Sequence, residues 1–168
     1  MDDLAKVVPQ PRRTLLEARS AYLAAFDELV AVARRELRVF DPDCAQLELN
    51  APARYERLRQ FLLASRDNRL FVAVHDPEHL KGGCPRMLQL VTEASAAIAI
   101  YQTEGEAARA QDCFVLCDME HFIRRPVAAQ PRGVYCVNEY QDARSMRERF
   151  EEIWQSSIPA ISATTLGL

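Results

Sequence analysis

Arg69-Leu-Phe-Val-Ala-Val-His75 is the stretch that most restricts how this chain can fold. It is a nearly continuous apolar run of strand length, ended by Asp76-Pro77. A run of that kind belongs to a strand covered on both faces, because a strand wetted on one side alternates polar and apolar residues. The chain must therefore supply helices to both faces of a sheet.

The flanking sequence offers them in alternation. Thr14 with Glu17 reads as a capping box, and Leu15, Tyr22, Phe26, Leu29, Val30 and Ala33 follow at the spacing of one buried helical face. Leu37–Phe40 is a short strand stopped by Asp41-Pro42, and Gln46–Leu49 suggests an edge strand. Asn50 is placed to cap a second helix with Pro52 in its first turn, and Tyr55, Leu58, Phe61 and Leu62 form its inner face. Lys81-Gly82-Gly83-Cys84 reads as a loop, and Pro85 starts a helix with Met87, Leu88, Val91 and Ala94 inward. Ala97–Tyr101 is the next strand, and 103–110 is a loop or a short helix. Residues 112–125 read as a β-hairpin around an acidic turn. Pro131-Arg-Gly133 turns into the strand Val134–Val137, and Asn138 is placed to cap a final helix carrying Ala143, Met146, Phe150, Ile153 and Trp154. The expected fold class is α/β: a mixed, largely parallel β-sheet sandwiched by helices, with antiparallel pairs contributed by the hairpin. Residues 1–13 are expected to be a loose leader or linker, 14–157 one domain, and 158–168 an uncharged tail that docks on a neighbour or frays.

Composition excludes several function classes. At 168 residues the chain is one domain's worth, with a net charge of -3. That charge counts against a general nucleic-acid binder or a partner for anionic membranes, which carry a basic surplus. Lys6 and Lys81 are the only lysines, so the positive charge is almost all Arg, suited to ion pairs or an anion site. No stretch of about 18 apolar residues exists to span a membrane, and the first residues lack the pattern of a secretory signal. The cysteines (Cys44, Cys84, Cys113, Cys117, Cys136) are odd in number and scattered, which fits reduced thiols in a cytoplasm.

The candidate chemistry is sparse. No GxGxxG or Walker-type loop is present, and Gly82-Gly83 is too little glycine to cradle a phosphate, so no nucleotide cofactor is expected. Cys113, Cys117 and Cys136 with His121 could surround zinc, but the spacing is not that of a structural zinc site and core packing is the expected role. His75-Asp76 sits at a strand end where open α/β sheets place ligands, so His75 is a candidate base. His121, after Glu120, is another; a structural histidine is the competing reading for both. Arg124-Arg125-Pro126 is the best anion-binding candidate, against pairing with the many surface acids.

Gln111-Asp-Cys-Phe-Val-Leu-Cys-Asp118 and the closing Arg149-Phe-Glu-Glu-Ile-Trp154, set in this order of elements, resemble one half of a phospholipase D-like domain. In active members of that family the first hairpin strand carries H-x-K-x4-D: a His nucleophile, a Lys that grips phosphate, and an Asp that supports the site. Matching Asp118 to the Asp puts Gln111 at the His position and Cys113 at the Lys position. The resemblance implies a retained scaffold with its catalytic set lost, acting in binding or protein–protein interaction, with an anionic small ligand near Arg124 and Arg125. It also implies a homodimer or docking to another domain, because single-motif members pair across a two-fold axis. The alternative is a rewired enzyme acting on a phosphodiester or related ester, with Cys113 as nucleophile and His75 or His121 as base.

Overall fold

The computed structural model describes residues 9–167. Eight strands form one mixed sheet: β1 (Arg12–Leu16), β2 (Glu36–Asp41), β3 (Arg69–Val74), β4 (Ile98–Gln102), β5 (Cys113–Cys117), β6 (His121–Arg125), β7 (Gly133–Val137) and β8 (Ile158–Ile161). Their order across the sheet is β1-β7-β6-β5-β2-β3-β4-β8. The centre, β2-β3-β4, is parallel, and every other pair is antiparallel. The helices are α1 (Arg19–Val32), α2 (Pro52–Leu63), α3 (Glu78–Gly83), α4 (Pro85–Glu93) and α5 (Tyr140–Gln155).

The pleat sorts the sheet's side chains into two cores, since alternate residues of a strand point to opposite faces. Leu37, Val39, Leu70, Val72, Val74, Cys113, Val115, Cys117 and Ile123 pack with α1, α2 and α4 on one face. Phe40, Ala73, Phe114, Leu116, Phe122, Val134 and Cys136 pack with Ala143, Phe150 and Ile153 of α5 on the other. The apolar run at 69–75 thus lies between two layers, as its composition demands. Trp154 closes the α5 side, stacked on Tyr101 with ring centroids 4.1 Å apart.

Several local expectations fail, each because a distant partner outweighs a local signal. Thr14 does not open a helix. Residues 12–16 pair antiparallel with β7 as an edge strand, and α1 starts at Arg19 with no side-chain cap. Leu15, expected inward, is 74% exposed, whereas Leu16 is buried. The expected leader over 1–13 therefore ends in a strand, and its residues 1–8 lie outside the described residues. Residues 45–47 form a 3-10 turn in place of an edge strand. Asn50 caps a helix, but not the adjacent one: its Oδ1 accepts the backbone N–H of Arg86 in the first turn of α4. Glycines 82 and 83 end the short helix α3 where a loop was expected. The tail's 158–161 forms β8 on the exposed edge of β4.

Candidate functional site

The carboxyl ends of β2, β3 and β4 and the start of β5 define one end of the sheet, and the hairpin register decides what gathers there. Phe40 lies opposite Phe114, and Cys113 opposite Arg125, so Asp41, His75, Asp112, Cys113, Arg124 and Arg125 belong to this end. Leu37 lies opposite Cys117, and Cys117 opposite His121, so Asp118 and His121 belong to the other. The candidates therefore fall into two groups separated by the length of a strand.

Asp118 has a structural task. It stands at a positive φ of 54° in the hairpin turn, a conformation Asp tolerates better than most residues. Its carboxylate accepts three backbone N–H groups, from Arg34, Arg35 and Glu36, at 2.8–3.0 Å. It thereby fastens the turn between α1 and β2 to the hairpin. His121 is similarly occupied: its Nδ1 accepts the Asn138 N–H at 3.0 Å, and its Nε2 lies 3.6 Å from Glu120.

At the candidate end the pleat divides the remaining residues again. Cys113 lies on the α1 face, where its sulfur is 3.7 Å from the Tyr22 hydroxyl and the residue is 1% exposed. Burial, reinforced by the charge of Asp41, pushes its thiol up to about 12. A thiol held there is protonated at neutral pH, and only the thiolate is a nucleophile. Beside it Arg125 is also buried. Its guanidinium lies 4.0 Å over the Tyr22 ring and donates to Gln46 Oε1, while its Nε and Nη2 have no hydrogen-bond partner among the described residues. Above this layer opens a cleft of about 200 Å3, lined by Asp41, Asp43, Gln46 and Ala128 among others. Burial raises the Asp41 carboxyl, although its oxygen accepts the N–H groups of Asp43 and Cys44.

His75 and Arg124 lie on the α5 face. The His75 ring packs edge-on against Phe40, and both its nitrogens are engaged, by the Thr103 hydroxyl at 2.6 Å and the Ala110 carbonyl at 3.0 Å. The carbonyl can only accept, so Nε2 carries a hydrogen and Nδ1 meets the hydroxyl. The sheet itself stands between this ring and Cys113. Arg124 reaches Asp112 at 3.4 Å, and Arg149 of α5 grips the same carboxylate with two nitrogens. Burial pushes the Asp112 carboxyl up, but hydrogen bonds and charge from Arg149, with Arg124 adding, outweigh it and hold it below the ordinary range. Arg149 also lines a cleft of about 310 Å3 with Glu106, Ala110 and Glu152. This Arg149–Asp112 clamp was not among the candidates from sequence; pairing across 37 residues leaves no local spacing to read.

Neighbouring Arg124 and Arg125 thus point to opposite faces and do not converge on one anion. Cys113 and Cys117 share a face, as their spacing predicts, but Cys136 lies on the other, so the three thiols do not converge either. Gln111, which the resemblance sets against a histidine, is exposed, with its amide donating to the Arg109 carbonyl at 3.1 Å.

Breaking the clamp gives a measurable result. Asp112→Ala is expected to cost about 2 kcal/mol, less than the 3–5 typical of a fully buried pair because Arg149 is 38% exposed and can be rehydrated. The Asp112 carboxyl is lowered on folding, so its contribution is complete above the unfolded value of about 3.9 and fades as pH falls through the lower folded value. Urea unfolding at pH 7 and in that acid range checks both: the difference between wild type and Asp112→Ala should shrink in acid.

Comparisons with known proteins agree with this architecture. The archaeal chromatin protein TrmBL2, described as showing a novel mode of DNA binding, superposes with a TM-score of 0.67 at 12% identity, over 94% of this chain and 57% of its own. The chain thus spans little more than half of that protein. Nuc, a phospholipase D family member from Salmonella typhimurium, gives 0.66 at 12% identity, over 91% of this chain and 100% of its own. NucT from Helicobacter pylori gives 0.63 at 8% identity, over 90% and 100%. No curated protein matches in sequence. At such identities the likeness is one of fold, and it bears out the expected phospholipase D-like half-domain. A sequence model for one family covers residues 18–166, nearly the whole domain, and the chain therefore belongs to that family, the domain of unknown function DUF7931.

Proposed function

We propose that this chain is a non-catalytic phospholipase D-like module that works by binding. The observation that carries the reading is the state of the two positions matching the family's nucleophile and phosphate-gripping lysine. Gln111 has no nucleophilic group, and Cys113 is a neutral thiol packed against Tyr22. Catalysis by phosphoryl transfer needs a nucleophile and preorganised positive charge at one point. Here the cations at that end do not converge on one point: Arg124 and Arg149 meet at Asp112, and Arg125 lies on the other face against Tyr22 and Gln46. Neither candidate imidazole is placed to deprotonate Cys113, since His75 is on the opposite face and His121 at the opposite end.

The partner is a second copy of the chain or another protein domain, with an anionic ligand near Arg124 as a third component. DNA is not the proposed partner. The net charge is -3, and the likeness to TrmBL2 concerns its fold. All five cysteines are unpaired and buried, in keeping with a reducing compartment.

The thiol tests this reading directly. Native protein treated with iodoacetamide near neutral pH should leave Cys113 unmodified until denaturant is added, and peptide mass mapping reads the site. Rapid, single-site alkylation of Cys113 in folded protein would overturn the proposal and support a rewired cysteine site.

A further inference from the structure

The opposite end of the sheet holds a cleft of about 510 Å3 that none of the residues above uses for chemistry. Tyr140, Arg144 and Arg147 line it from the first two turns of α5, at helical spacings of four and three that put them on one face. Arg38 of β2 lies at its base and Met119 of the hairpin turn at its rim. The volume is that of a small-molecule site.

Two observations indicate what the cleft lacks. Arg38 is 9% exposed and lies beside the rings of Phe71 and Phe150, with Nη2 held by Glu36 at 3.0 Å and Glu151 at 3.1 Å. Its Nε and Nη1, and the Nε of Arg147, are buried with no hydrogen-bond partner among the described residues. Buried donors without an acceptor are uncommon in folded proteins and call for a missing partner. The charges give the second indication. The lining carboxylates are already engaged, Glu151 by Arg38 and Glu148 by Arg144 at 3.2 Å. Arg147 has no carboxylate in ion-pair range among the described residues, so it is the lining arginine without an ion-pair partner. Met119 and Tyr140, 54% and 49% exposed, add an apolar rim.

We propose that this cleft binds a small monoanion with an aromatic or alkyl body. The anionic group, a carboxylate or sulfonate, pairs with Arg147 in front of Arg38, and the body lies between Met119 and Tyr140. Guanidinium groups match planar and tetrahedral oxyanions, and Arg147 lines the cleft with no carboxylate in range among the described residues. The inference concerns the end of the sheet remote from Cys113, so it stands whether or not the proposed function does.

The test compares two dyes on the full chain. 8-Anilinonaphthalene-1-sulfonate carries the anion and the aryl body; N-phenyl-1-naphthylamine has the body alone. The sulfonate should bind at one saturable site, at least ten-fold more tightly than the neutral dye. Trp154, the single tryptophan, lines the adjoining small cleft with Arg38 and provides a second readout. Arg147→Gln and Met119→Asp should each weaken sulfonate binding at least ten-fold while thermal melting shows both variants folded. Should Arg147→Gln not fold, Met119→Asp, in an exposed turn, decides alone. Unchanged sulfonate affinity in the folded variants, equal uptake of the two dyes, or binding without saturation would overturn the proposal.

Discussion

Asp118→Ala is expected to destabilise the domain by about 3 kcal/mol, with the hairpin and the α1–β2 corner loosening together. Hydrogen bonds to a charged group contribute about 1.5–3 kcal/mol each, but here water can replace part of what is lost, because the Arg34 and Arg35 N–H groups are near the surface. The positive φ adds about 1 kcal/mol against Ala, since only Gly and, less readily, Asn and Asp visit that region. Asp118→Asn keeps the backbone preference and one acceptor oxygen, so it should cost about half as much by the same figures. The urea midpoint at neutral pH measures both variants. A loss below about 0.5 kcal/mol for Asp118→Ala, the range of ordinary surface substitutions, would show that these hydrogen bonds exchange freely with water.

The second large effect is that of Asp112→Ala, and its interest lies in separating structure from chemistry. Asp112 joins the first strand of the hairpin to α5 through Arg149, whose guanidinium also lies 5.6 Å from the Phe40 ring centroid and 5.5 Å from that of Phe114. The substitution removes the carboxylate that keeps this cation over the rings. It should loosen α5 before the rest of the sheet, seen as earlier hydrogen exchange in residues 140–155 than in β2 and β3. Uniform exchange across α5 and the sheet would place the clamp outside any local unfolding unit. Asp112→Asn, which preserves shape but not charge, should give an intermediate loss and no dependence on acid pH from this position.

The inner strands were legible because burial leaves an apolar run: 69–75, the hairpin over 112–125 and 134–137 all appear in the structure within a residue or two. Strands at the sheet's margins were not. β1 pairs with a strand more than a hundred residues away, and its sequence, Arg-Arg-Thr-Leu-Leu, carries no alternation strong enough to overrule the apparent capping box at Thr14. β8 was not legible either: the segment was expected to dock on a neighbour or fray, and it pairs with β4 of its own chain. Caps were read to the wrong helix at Asn50, where a tertiary contact selects Arg86 over the nearer residues.

The candidate site divides the same way. Sequence placed His75 at the carboxyl end of a central strand and put Cys113 and Cys117 on one face, both of which follow from strand geometry alone. What it could not show was the hairpin register, which sends His121 and Asp118 to the far end, or the faces of Cys113 and His75 relative to each other. Tyr22, Gln46 and Arg149, the side chains that occupy Cys113, Arg125 and Asp112, come from other elements, and no local spacing marks them as partners.

Turnover of a phosphodiester by the purified chain tests the central claim most directly. With bis(p-nitrophenyl) phosphate as substrate, wild type, Cys113→Ser and Gln111→Ala should release p-nitrophenol no faster than buffer, and intact-mass analysis should find no covalent adduct. Release by wild type that Cys113→Ser abolishes, with a mass adduct mapped to residue 113, would contradict the reading of this domain as a non-catalytic binding module.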